Sequence, residues 1–187
     1  MKFKTNLILG LLLWAAFSCI SGEGGKKMEE LPYFNLSGFL DLELAKLDGA
    51  EVAKISQING EENLVEKKYS LKEWKEEFQA FYSAEINSSA LALSYSTETE
   101  GEYLIHRLMP ETKGKVKEIR IKYIKEYPSS ISFKMSDENL FFSTSTAGEF
   151  HMNQTTNKLE HYSVETTQKV WFLDPTTIKI SGVVIWR

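Results

Sequence analysis

Three histidines, His106, His151 and His161, and a single cysteine, Cys19, are the residues of this chain best suited to chemistry. A zinc ion takes three or four converging ligands, and imidazole nitrogen is among the commonest. By strand parity His151 shares a face with Glu149, and His161 shares one with Leu159 and Ser163. If these two segments pair as a hairpin, His151 and His161 approach each other across it. One reading of function follows: a small hydrolase or metal-dependent enzyme using His151 and His161. Neither His-x-Glu-x-His nor His-Glu-x-x-His spacing occurs, so only the fold can assemble such a site. Nucleophilic patterns are as sparse. There is no Gly-x-Ser-x-Gly elbow, and the serines at 143 and 145 suit a solvent-facing sheet. Glu76 and Glu77 are expected on a wet helix face, and Asp137 and Glu138 in a turn, not in the apolar setting that acid catalysis would need. No cofactor and no metal centre is implied.

Cys19 carries a different chemistry. Lys2 and Lys4 precede an apolar stretch from Leu7 to Phe17. That stretch is shorter than the roughly 20 residues a bilayer span needs. A basic start and a short apolar run make a secretory signal. The segment ends Ala16-Phe17-Ser18-Cys19, which resembles a bacterial lipoprotein signal, with a small residue before the cysteine and Ala16 where Leu is usual. The chain has one cysteine, so it can form no internal disulfide, and a lone thiol in an oxidising compartment needs a reason. Diacylglyceryl attachment supplies one, because lipid chains anchor through their buried methylenes. Residues 1–18 therefore read as a signal peptide, Cys19 as the lipidated residue, and 19–32, Gly-rich and charged, as a flexible tether. The expected location is the cell envelope, anchored to the outer membrane on its periplasmic or surface face, since Ile20 is not the inner-membrane Asp.

The full chain carries 22 Lys and Arg against 26 Asp and Glu, a formal charge of −4. Loss of Lys2 and Lys4 makes it more acidic still. This argues against nucleic acid as a partner, and against a polybasic membrane surface.

The elements that would position any site begin at residue 33. Residues 33–49 read as a helix capped by Asn35, with Leu36, Phe39, Leu40, Leu44 and Leu47 on one stripe and Phe34 stapled to Phe39. Asn59-Gly60 between runs 50–58 and 61–68 is a strong hairpin signal. Residues 70–86 read as a second helix, opened by a Ser70/Glu73 capping box and a Tyr69/Trp74 staple. Leu71, Trp74, Phe78, Phe81 and Tyr82 form its apolar face, and Glu77 is expected in water. From about residue 90 the pattern has period two, with turns at Glu100-Gly101, Pro110, Pro128, Asp137–Asn139, Ala147-Gly148 and Asp174-Pro175. The expected fold of 33–187 is one α+β domain, with two N-terminal helices packed on a large curved antiparallel β-meander.

Pro32-Tyr33-Phe34 leading to Phe39, Asn59-Gly60, Trp74 and Phe78 running to Glu85-Ile86-Asn87, and Tyr95 together resemble uncharacterised small lipoproteins of Bacteroidetes-type bacteria. These are core and turn positions. The resemblance implies an envelope lipoprotein and brings no site residue with it.

The main functional reading is a non-catalytic envelope lipoprotein that binds a protein partner or a small apolar ligand. A ligand held between helices and sheet would touch Tyr33, Phe34, Phe39, Trp74, Phe78, Trp171 and Trp186. The bland alternative for the same aromatic residues is a filled, dry core.

Overall fold

The computed structural model describes residues 31–186. The signal peptide, Cys19 and the tether as far as residue 30 lie outside the described residues. The elements run α1 (Leu36–Ala45), β1 (Glu51–Ile58), β2 (Glu61–Lys68), α2 (Leu71–Glu77), α3 (Gln79–Tyr82), β3 (Tyr95–Glu100), β4 (Tyr103–Leu108), β5 (Val116–Ile124), β6 (Tyr127–Glu138), β7 (Phe142–Met152), β8 (Leu159–Val170) and β9 (Thr176–Ile185).

Local signals fix the element starts. Asn35 Oδ1 accepts the Gly38 N–H at 2.8 Å and opens α1. Ser70 and Glu73 bond reciprocally at the start of α2. The rings of Phe34 and Phe39 lie 5.7 Å apart, and those of Tyr69 and Trp74 5.1 Å apart, so both staples form. Asn59 (φ 50°) and Gly60 (φ 96°) both turn through the left-handed region, as a two-residue hairpin requires.

The nine strands form one antiparallel sheet in the order β2-β1-β9-β8-β7-β6-β5-β4-β3. This corrects the expected architecture of two N-terminal helices packed on a meander. The N-terminal hairpin belongs to the sheet: β1 pairs along its whole length with β9, from Glu51 opposite Ile185 to Ile58 opposite Ile178. The last strand would otherwise leave a row of open N–H and C=O groups, and β1 satisfies them. The new edge, β2, is charged and mostly exposed, which discourages further pairing. The helices are shorter than expected. α1 has 10 residues, and the second helix breaks at Phe78 into pieces of 7 and 4. The described residues form a sheet with short helical segments on one face.

Those segments hold on through aromatic rings. Phe78 meets Tyr162 at 4.9 Å, and Phe81 meets Phe133 at 5.0 Å and Phe150 at 5.2 Å. Gly148, expected to turn the chain, lies inside β7, where its missing side chain makes room for the Phe133 ring. Pro128, expected to break a strand, is the second residue of β6, at a register shift opposite Tyr123. A Cβ at Gly148 would sit 2.5 Å from Phe133 Cε1 and 3.3 Å from Phe81 Cζ. Gly148→Ala should therefore destabilise the fold by about 1–3 kcal/mol, the usual cost of overpacking a core. Urea unfolding of the variant beside the wild type measures it.

Candidate functional site

The proposed cavity residues do not converge. Trp74 and Phe78 are fully buried, and Phe39 is half-buried, stacked on Phe150 at 6.2 Å. All three belong to the packed layer between helices and sheet, as do Tyr33 and Phe34. Trp186 lies near the opposite end of the sheet from Trp171. Its indole Nε1 donates to the Leu159 carbonyl at 2.9 Å, and the Lys158 ammonium sits 4.3 Å from its ring. Trp171 stands 75% exposed beyond the end of β8.

Polar clamps reinforce this layer. Glu77, expected in water, points at the sheet. It accepts from Lys54 Nζ at 2.8 Å and from the Tyr162 hydroxyl at 2.9 Å. Burial, and then the charge of Glu77, holds the Tyr162 hydroxyl far above its ordinary pKa. Glu43 accepts from the Tyr127 hydroxyl and from Lys46, each at 2.6 Å. Helix periodicity misses Glu77 because α2 ends there and the chain bends.

His151 and His161 do meet. They are direct partners in the β7–β8 ladder, on the face away from the helices. Their rings stack with centroids 4.4 Å apart and planes 17° from parallel. His151 Nε2 lies 3.6 Å from Glu149 Oε2. The pair lines a shallow cleft of about 450 Å³ with Tyr103, Lys122 and Ser130, which occupy the same cross-strand row. Among the described residues no three His, Cys, Asp or Glu side chains gather as metal ligands. The fold thus unites the two imidazoles on an open surface beside one carboxylate.

His106 has a structural post. It is 1% exposed, and its Nε2 accepts the Phe34 N–H at 3.2 Å. That bond leaves the ring proton on Nδ1, which faces Thr97 Oγ1 at 2.9 Å.

The feature that sequence reasoning missed lies at one end of the sheet. The β6–β7 turn exposes Leu140 (89%) and Phe141 (66%), and the β8–β9 turn exposes Trp171 (75%), Phe172 (81%) and Leu173 (57%). The two turns are joined, because the Trp171 N–H donates to the Phe141 carbonyl at 2.9 Å. Asn139 Oδ1 accepts the N–H groups of Phe141 and Phe142 at 2.8 and 3.1 Å, which fixes the first turn. Five large apolar side chains thus form one prong, held outward by a hydrogen-bonded backbone. Its signal was present in the sequence: Leu140-Phe141-Phe142 and Trp171-Phe172-Leu173 break period two next to turn formers.

No protein-family model, no curated protein and no solved structure matches the chain. Among the described residues no helix is long and apolar enough to cross a membrane.

The buried His106 has a pH consequence. Burial disfavours its imidazolium and lowers its pKa below the ordinary 6.5. The unfolded chain then binds the proton more readily. The stability that His106 gives is complete above about pH 6.5 and is lost as pH falls toward its folded value, with a ceiling near 1.4 kcal/mol per pH unit. Unfolding free energies across acid pH should show this slope, and His106→Gln should flatten it while lowering stability at neutral pH.

Proposed function

We propose that this protein is a non-catalytic, lipid-anchored envelope protein that works by binding, and that its binding element is the apolar prong of Leu140, Phe141, Trp171, Phe172 and Leu173. The observation that carries this reading is the exposure of these five side chains on two hydrogen-bonded turns at one end of the sheet. Soluble proteins seldom leave contiguous large apolar groups in water, and such patches mark interaction sites. Evolution of a merely stable fold has no use for Trp and Phe at hairpin tips, where Asn, Gly and Ser serve better. The signal at 1–18 and Cys19 support the anchor and the envelope location. The aromatic layer around Trp74 and Phe78 is packed, so an apolar ligand between helices and sheet has no support.

Occupancy of the prong in the native envelope tests the proposal. Cys19 carries the lipid in this reading, so an introduced cysteine is the only free thiol. Phe172→Cys should react with a membrane-impermeant maleimide far more slowly in intact envelopes than in purified protein. Gln154→Cys, exposed in the β7–β8 turn at the other end, should react alike in both. Equal labelling of the two sites in envelopes would mean a bare prong and would defeat the proposal.

A further inference from the structure

We infer that the prong's occupant is the lipid bilayer itself: the tips of the β6–β7 and β8–β9 hairpins insert into the headgroup boundary and set the sheet upright on the membrane. This inference rests on the prong being the binding element.

The shape of the prong favours lipid. It is two neighbouring turns projecting from a sheet end, and each turn presents its apolar side chains outward. Residues 139–142 and 170–173 contain no charge, and the charged residues Glu138, Lys169 and Asp174 flank them at the base. Trp, Phe and Leu on a short projection are the types that partition into the headgroup and acyl boundary.

Behind the tips the far face of the strands is polar, and the helix-side face mixes threonines with Met135 and Ile178. Thr146 bonds Thr166, and Thr167 bonds Thr177, each at 3.1 Å. On the helix side, burial along β7 falls from Phe150 and Gly148 to the half-buried 146, 144 and 142. A stretch rich in Thr and Ser, with no aromatic ring between Phe150 and Phe142 on β7, thus separates the apolar tips from the aromatic core. Such a stretch suits a wet layer between a membrane and a folded body.

The route of the chain agrees. Tyr33, the first buried residue among those described, packs on Tyr95 at 5.5 Å and on His106 at 5.4 Å, at β3 and β4. Tyr95 opens β3, and its hydroxyl donates to the carbonyl of Val116, which pairs with Met135 near the end of β6. The polypeptide therefore enters on the prong's side of the sheet. β4 and β7 are three strand spacings apart, about 15 Å. Cys19 to Pro32, about 14 residues, spans at most roughly 50 Å. A lipid on Cys19 and the two hairpin tips reach one plane without strain.

The charge balance sets the mode of contact. A chain with more acidic than basic residues gains nothing from anionic headgroups. Insertion must be driven by apolar burial, so it must hold on neutral lipid and survive salt.

The test uses the full lipidated chain in phosphatidylcholine vesicles, with and without brominated phosphatidylcholine as quencher. Trp171 emission should be quenched by the brominated lipid, the quenching should persist in high salt, and Trp171→Phe should abolish it, leaving only Trp74 and Trp186. Leu140→Ser with Phe172→Ser should lose most of the quenching yet unfold at the wild-type temperature, because both residues are exposed. Absent or salt-sensitive quenching overturns the inference. If quenching is absent while Phe172→Cys stays protected in native envelopes, the prong still binds and its occupant is a protein, and cross-linking from position 172 separates a second copy from another chain. If both signals are absent, the prong reading falls as well.

Discussion

The contact of Phe78 and Phe81 with Phe133, Phe150 and Tyr162 is what the rest of the structure depends on. A nine-stranded sheet has an apolar face that must be covered. Among the described residues the helical cover is three short segments. They suffice because their side chains are large, since each aromatic ring buries about 150–250 Å². The sheet yields space in return at Gly148 and Gly182, where an added Cβ would meet the rings of Phe133 and Tyr162 at 2.5 Å. Glu77 and Glu43 then fasten α2 and α1 to the sheet with charge-assisted bonds that a slipped packing would break.

The cover is local, and this explains the unequal ends of the molecule. Where the helices lie, the sheet is aromatic and dry. Where β6 to β9 run past them, the same face turns largely polar at Thr144, Thr146, Thr166, Gln168 and Thr176, and strand pairing is held by side-chain hydrogen bonds as well as by the ladder. The prong beyond is therefore no overflow of the core. A Thr- and Ser-rich stretch stands between them, and in the proposed reading the apolar tips answer to something outside the protein. The His151–His161 pair, on the far face, is a cross-strand consequence of register, with Glu149 beside it.

What could be read from the sequence was local. The Asn35 and Ser70 caps, both staples, the Asn59-Gly60 turn and most strands follow from residues within a few positions of one another. The union of His151 and His161 also followed, because a hairpin is local. The β1–β9 pairing was not legible, since Glu51 and Ile185 are distant in sequence and the mixed pattern of β1 names no partner. The Phe78 break was hidden because the apolar stripe continues through it into α3. Glu77 was misplaced for the same reason. Trp171 was grouped with buried rings although it stands exposed, because pattern alone cannot separate an aromatic strand end from an aromatic core.

Amide hydrogen exchange of the lipidated protein on phosphatidylcholine vesicles, compared with the same protein in solution, reports whether lipid covers the two hairpin tips. Membrane insertion should bring new protection confined to residues 139–142 and 171–174, with the aromatic layer and the His151–His161 row unchanged. Unaltered exchange at both turns, or protection spread over the polar face of the sheet, would contradict it.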